Sequence, residues 1–286
     1  MKIKASFKDR VMKKDIQYLN NKKKNKIPIS MLTAYDFPTA KILDEAGIDI
    51  ILVGDSVGTN VLGYKSEAEV SMSDMLHHLG AVVRATEKAW VMVDMPYNSA
   101  NDPFCAYENA RKLIEKGADC VKIEGWEEKK NVVASLSSQG IAVCAHIGYN
   151  PQIHGSKPSI FGKTTEQALE LIKSAKVLED SGAELIIVEK VPQEITSIIS
   201  ETLRIPVLGI GAGKLCDGQV LVVNDVLGIT PTVFRHVRKY MDFRLLASKA
   251  VTDYINDIEK GCFPSEENIG HLSAESLEGV SKAMGR

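Results

Sequence analysis

The chain has 286 residues, 44% hydrophobic and 25% charged, enough for a sizeable buried core in one large domain or two small ones. A formal net charge of −2 excludes the basic footprint of a nucleic-acid binder or a membrane-surface protein, leaving small-molecule work as the default. Five cysteines without a Cys-x-x-Cys pair read as buried reduced thiols rather than zinc ligands or disulfides. No run approaches the roughly 18 apolar residues of a membrane span, and the lysine-rich start lacks the apolar centre of a signal peptide, so the expected location is cytoplasmic.

Residues 1–26 end in Lys22-Lys-Lys-Asn-Lys26, with Phe7, Val11, Ile16 and Leu19 at loosely helical spacing. This reads as a basic N-terminal helix. A nucleic-acid patch competes with a solvated face or subunit contact, and the acidic balance of the whole chain favours the latter. From residue 27 an alternation sets in. A strand near 29–33 is followed by a helix near 38–46 that Gly47 stops, and a second strand near 48–53. Residues 56–72 form a long excursion, and Ser71-x-x-Asp74 then offers a capping box to a helix with Met75, Leu79, Val82 and Val83 on one face. A third strand near 89–93 precedes Asp102-Pro103, an N-cap and first helical residue, with Gly117 as the stop.

Further strands are expected near 120–123, 141–145, 184–188, 206–208 and 219–223. The helices between them are expected near 129–138, near 165–181 with Leu169, Ile172, Ala175 and Leu178 in phase, and near 193–202. Pro231 is read as opening a long amphipathic helix that ends near Gly261, and residues 262–286 as a polar surface tail or subunit arm. Eight strands separated by helices over about 200 to 250 residues, with no linker, match an α/β fold of the (β/α)8 TIM barrel type across 27–261. The glycine-rich run Gly209-Ile-Gly-Ala-Gly213 follows strand seven rather than strand one, which argues against a dinucleotide-binding sheet. It fits either a phosphate loop or close packing.

Five strands end on an ionisable residue: Asp55 just past Ile51-Leu-Val-Gly54, then Asp94, Glu124, His146 and Glu189. In a barrel, neighbouring strands lie about 4.8 Å apart with their C-terminal ends at one mouth, so Asp55, Asp94 and Glu124 form an arc of carboxylates. Their mutual repulsion calls for a hard divalent cation, and an all-oxygen set favours Mg²⁺. Ser56 adds a hydroxyl beside Asp55. Lys122, on the same face of its strand as Glu124, either pairs with the acids or binds the anionic end of a substrate. Glu189, across the mouth and partly desolvated, suits a general base, or else pairs with Lys190. His146 is a ligand, a donor or a satisfied buried histidine. His77 and His78 read as structural.

Met31-Leu-Thr-Ala-Tyr-Asp36, Gly54-Asp-Ser-Val-Gly58, Val61-Leu-Gly-Tyr64, His77-His78, Val93-Asp-Met-Pro96 and Val121-Lys-Ile-Glu-Gly125 continue into His146-Ile-Gly148, Pro151-Gln152, Gly209-Ile-Gly-Ala-Gly213 and Asp217-Gly-Gln219. In this order they resemble the ketopantoate hydroxymethyltransferase family. The resemblance implies a barrel of the phosphoenolpyruvate mutase and isocitrate lyase kind in a homo-oligomer, a decamer. It implies transfer of a one-carbon unit from methylenetetrahydrofolate to 3-methyl-2-oxobutanoate in pantothenate biosynthesis. It assigns Asp55, Asp94 and Glu124 to Mg²⁺, Ser56 and Lys122 to the oxo acid, and Glu189 to proton abstraction. Lyases on the same barrel carry a Lys-Lys-Cys-Gly-His loop, which is absent from this sequence.

The chain departs from the family pattern at the mouth. Tyr97-Asn-Ser99 stands where Phe-Gly-Ser is usual, and Gly148-Tyr-Asn-Pro-Gln152 where Gly-Leu-Thr-Pro-Gln is usual. Lys214 follows the glycine-rich run in place of Asn or Pro, Asn224 stands for His, and 153–163 is shortened. The metal and base positions are untouched, and these changes bear on folate affinity and rate.

Overall fold

The computed structural model describes residues 12–154, 159–232 and 234–286. Phe7 and Val11 therefore lie outside the described residues. Eight parallel strands close into a barrel in sequence order: β1 Ile29–Thr33, β2 Ile50–Val53, β3 Trp90–Asp94, β4 Cys120–Glu124, β5 Val143–Gly148, β6 Leu185–Glu189, β7 Val207–Ile210 and β8 Gly218–Leu221. The (β/α)8 expectation is met.

Period-two alternation sorts each strand between two cores. Ile29, Met31, Ile50, Leu52, Trp90 and Met92 point inward and fill the barrel with their counterparts from the later strands. The alternate residues, among them Ile51, Val53, Val91 and Val93, pack outward against the helices. Those helices are α1 Ile16–Lys24, α2 Phe37–Glu45, α3 Met72–Ala85, α4 Pro103–Glu115, α5 Lys130–Ser138, α6 Pro151–His154, α7 Thr165–Asp180, α8 Gln193–Thr202, α9 Val223–Val226, α10 Phe243–Glu259 and α11 Ala274–Ala283. Helix α1 caps the bottom of the barrel. Leu19 is fully buried in the inner core, worth about 2 kcal/mol, while Tyr18 and Lys22 bond Asp49 and Lys23 bonds Asp217.

Local signals hold where no tertiary contact competes. Ser71 and Asp74 form the reciprocal capping box of α3. Asp102 accepts from Cys105 N ahead of Pro103, and Gly117 takes the left-handed conformation after α4. Strand five begins at 143 rather than 141, because Ile141 N–H is spent on Leu136 O at the end of α5. Strand eight runs 218–221 rather than 219–223, because Val223 N–H leaves the ladder for the Thr33 hydroxyl. On α7, Leu169 is exposed, and the buried stripe is Ala168, Leu171, Ala175 and Leu178. The excursion 56–72 contains a turn of π-helix, Gly58–Leu62, and a 3₁₀ turn, Glu67–Glu69.

The long C-terminal helix starts at Phe243, not Pro231. Tyr240 N–H and Phe243 N–H bond the carbonyls of Val226 and Leu227, Thr230, Phe234 and His236 line the mouth before them, and Asp242 caps the helix instead. The polar tail carries α11. Of the five cysteines, all free, only Cys120 and Cys144 are buried.

Candidate active site

The C-terminal ends of the strands enclose a cavity of about 390 Å³, lined by Asp55, Ser56, Asp94, Lys122, Glu124, His146 and Glu189 among others. All seven sequence-designated residues thus meet at one place. Strand register does this directly: Asp94 stands beside Lys122 on adjacent strands, and Glu124 beside His146. Asp55 lies two residues beyond β2, where its N–H bonds Asp94 Oδ2 at 2.9 Å. Gly54 allows that approach, since a Cβ there would lie 2.8 Å from Ser56 Oγ. Gly148, with φ +91°, lets β5 run against β6, for a Cβ would come within 2.2 Å of the Glu189 carbonyl oxygen.

Lys122 is the buried cation of the site. Its Nζ stands 3.1 Å from Asp94 Oδ1 and 3.5 Å from Glu124 Oε1. Burial works against its charge, but Asp94, Glu124 and Asp55 outweigh burial and hold its pKa above the ordinary lysine value. Asp55 moves the other way for a carboxylate: burial, then repulsion from Asp94 and Glu124, raises it well above the usual range. Burial acts against Glu124 as well, yet Lys122 and His146 bring it below the usual range. His146 stands between two acids, with Nδ1 3.2 Å from Glu124 Oε1 and Nε2 3.3 Å from Glu189 Oε2, the second contact out of line for a hydrogen bond. Burial and Lys122 lower its pKa, and Glu124 and Glu189 more than compensate, so it is raised. Glu189 also meets Lys190, 3.7 Å from Oε1. Ser56 Oγ pairs with the buried Tyr35 hydroxyl at 2.9 Å.

Three acids thus gather around one buried lysine, with Glu189 on the far side of His146. Asp94 Oδ1 makes no hydrogen bond, its approach to Lys122 being out of line for one. Among the described residues no three His, Cys, Asp or Glu side chains stand as a ready-made metal cage. Both Glu124 oxygens are engaged, Oε1 by Lys122 and His146, and Oε2 by Gln152 N–H at 3.0 Å.

Gln152 was not designated from sequence as a site residue, yet its amide donates to Asp55 Oδ2 at 2.6 Å and to Met95 O. Its only sequence signal was its place in the Pro151-Gln152 motif. The departures from the family pattern have physical readings. Asn98 has φ +64°, a conformation open to glycine and best tolerated by Asn among the rest. Asn150 is fully buried and ties Trp126 Nε1 to the His146 carbonyl. Tyr149 stacks on His154 and lies under the Lys190 ammonium, 4.1 Å from the ring centre. Asn224 reaches Asn60 O at 3.4 Å. The structure gives Lys214 no comparable role. The glycine-rich run serves packing: a Cβ on Gly213 would overlap Gln193. His78 bonds Tyr35 O, a structural role.

The sequence model of ketopantoate hydroxymethyltransferase matches residues 13–266. The chain belongs to the ketopantoate hydroxymethyltransferase family. It is 45% identical over 280 residues to the 3-methyl-2-oxobutanoate hydroxymethyltransferase of Dehalococcoides mccartyi (strain ATCC BAA-2266 / KCTC 15142 / 195), covering 96% of this chain and 99% of that one. The Caldivirga maquilingensis protein of the same name is 43% identical, covering 85% and 93%. Among solved structures, a phosphonopyruvate hydrolase complexed with oxalate and Mg²⁺ superposes with a TM-score of 0.59 at 14% identity, over 95% of this chain and 99% of that one. A 2,3-dimethylmalate lyase of the phosphoenolpyruvate mutase/isocitrate lyase superfamily gives 0.56 at 14%, over 96% and 98%. At this identity the two likenesses concern the barrel fold alone.

Proposed function

We propose that the chain transfers a one-carbon unit from methylenetetrahydrofolate to 3-methyl-2-oxobutanoate, giving 2-dehydropantoate for pantothenate biosynthesis. The acceptor is that named in the 43–45% identical relatives. The observation that carries the reading is the single cavity in which Asp55, Asp94 and Glu124 gather around Lys122 while Glu189 stands beyond His146.

The donor set suits Mg²⁺, which needs only one or two carboxylates with water and substrate completing its shell. Asp55 and Asp94 would hold it, Asp94 through the oxygen that has no hydrogen bond, and Glu124 would stand behind them. When bound, Mg²⁺ supplies a Lewis acid for the carboxylate and keto oxygens of the oxo acid. Lys122 and Ser56 orient the anionic end of the oxo acid. Glu189 takes the proton from C3, and His146 stands between Glu124 and Glu189, close enough to favour the charged form of that carboxylate. The C3 carbanion then forms the new C–C bond to the methylene carbon of the folate as one of its two C–N bonds opens; one water replaces the other C–N bond to give the hydroxymethyl group, and tetrahydrofolate leaves with the proton removed from C3 and one from that water. Gln152 secures Asp55, and the turns of 56–72 limit bulk water at the mouth. The enzyme works in the cytoplasm as a homo-oligomer, a decamer as the resemblance implies.

Solvent exchange of the C3 hydrogen of 3-methyl-2-oxobutanoate, followed by NMR in deuterated buffer with Mg²⁺, tests the assignment. The parent exchanges with and without tetrahydrofolate, and Glu189→Gln slows exchange by about 100-fold or more. Full exchange in the variant removes Glu189 as the base.

A further inference from the structure

Period two should send Glu189 into the barrel and Lys190 out of it. On β6, Leu185 and Ile187 fill the inner core, while Ile186 and Val188 pack outward on the helices. Yet Glu189 and Lys190 both line the cavity. The backbone explains this. Lys190 has φ +50°, a left-handed conformation rare for lysine, which turns the end of the strand back toward the mouth. Bonds on both sides hold it there, from Lys190 N–H to Ile210 O and from Phe161 N–H to Lys190 O, each 2.9 Å. A strained residue kept in place by its surroundings is characteristic of functional sites.

One strand away, the left-handed Gly148 brings Tyr149 to the same wall, with its N–H on Glu189 O. The Lys190 ammonium thus lies 4.1 Å from the centre of the Tyr149 ring and 3.7 Å from Glu189 Oε1. A ring face and a carboxylate outside hydrogen-bonding range position a cation without consuming its donors. Among the described residues this ammonium makes no hydrogen bond. The other cations of the cavity are placed differently. Lys122 and His146 are held among the acids, and Lys65 is exposed. His236 shares the space over Gly211 with Lys190, and burial, then the Lys190 charge, holds its ring below the usual histidine value, so it is neutral at pH 7.

Such an ammonium meets a need of the reaction proposed above, on which this inference rests. When a C–N bond of the methylene group opens, the nitrogen keeps the electron pair and is a strong base until a proton reaches it. That nitrogen is two bonds from C3 as the new C–C bond forms, and Lys190 stands beside the carboxylate that meets the C3 proton. We propose that Lys190 is a further catalytic residue, the acid that protonates the departing folate nitrogen, and that Glu189 then returns to it the proton taken from C3. The C3 proton goes to Glu189 and its electron pair forms the C–C bond. The C–N pair stays on nitrogen, which takes a proton from Nζ, and the neutral amine recovers one from Glu189. Both residues end as they began, and the C3 proton has in effect reached the folate. The second nitrogen takes its proton from the water that replaces the second C–N bond.

Two reactions of the full-length protein with Mg²⁺ separate this role from a structural one. Solvent exchange at C3 without folate calls on Glu189, whereas transfer from methylenetetrahydrofolate calls on both residues. In Lys190→Met, exchange should stay within about threefold of the parent, itself the sign of an intact site, while kcat for transfer falls about 100-fold or more. Lys190→Arg should be equally poor in transfer, because a guanidinium carries the charge but does not give up its proton. Tyr149→Leu, which removes the ring face under the ammonium, should lower transfer about tenfold with exchange retained. Transfer at the parental rate in Lys190→Met overturns the proposal. A parallel fall of exchange and transfer does the same, since Lys190 would then only hold Glu189, as does recovery of transfer in Lys190→Arg, since charge alone would then suffice. A parent without transfer overturns the proposed reaction, and the role of Lys190 with it, before any variant is compared.

Discussion

At the level of single residues, the cavity is a place where carboxylates outnumber cations, and that imbalance predicts two substitutions of opposite sign. Asp55 is destabilised as an anion by burial and by Asp94 and Glu124, so Asp55→Asn should stabilise the metal-free protein by about 1 kcal/mol. Lys122→Met should cost about 3 kcal/mol, because it leaves Asp94 and Glu124 buried without their cation. Urea denaturation in the presence of a chelator reads both; equal signs would mean that the acids are neutralised in some other way. These acids were legible because each ends an apolar run, and period two fixes which face it takes. Gln152 was not, since a neutral amide on a four-residue helix leaves neither charge nor periodicity to read. Asn98 was legible as a departure but not as a solution: the sequence shows Asn where glycine is usual, and only the backbone shows that both satisfy φ +64°.

At the level of elements, α1 is held to the barrel by charge more than by area, with Leu19 its one buried residue. Asp49 takes Lys22, Tyr18 and the Ser30 N–H and hydroxyl; burial alone would raise its pKa, but these bonds place it below the ordinary carboxylate value. A depressed carboxylate contributes stability that is complete above its unfolded pKa of about 3.9 and is lost as pH falls through the lower folded value. The amides of α1 should therefore keep their hydrogen-exchange protection down to about pH 4 and lose it below, ahead of the barrel strands. In Asp49→Asn the protection should be weak at every pH, and an acid-insensitive α1 in the parent would show that Asp49 does not hold it. Strand ends were legible only within three residues, because side chains such as Thr33 compete for backbone groups at the junctions. The start of α10 was misplaced because Pro231 is a local signal, and the bonds from Tyr240 and Phe243 to Val226 and Leu227 that override it are tertiary ones.

For the whole molecule, eight repeats of strand and helix made the barrel readable before any coordinate, since hydrophobic period and turn residues recur at each step. Because the site draws its acids from β2, β3, β4 and β6, relieving their repulsion should stabilise the closed barrel as a unit rather than one loop. A ligand present at about 100 times its Kd adds about 2.7 kcal/mol to the folded state. In a chain of this size each kcal/mol moves Tm by roughly 2 °C. Mg²⁺ together with 3-methyl-2-oxobutanoate should thus raise Tm by roughly 5 °C, Mg²⁺ alone by less, and a chelator should reverse both. Asp94→Asn should abolish the shift, because it removes the oxygen that has no hydrogen bond, whereas Glu189→Gln should retain it, because that carboxylate stands beyond His146 from the acids around Lys122. A calorimetric scan in which Glu189→Gln loses the shift and Asp94→Asn keeps it would place the cation on the wrong side of His146 and reverse the assignment of base and metal ligand.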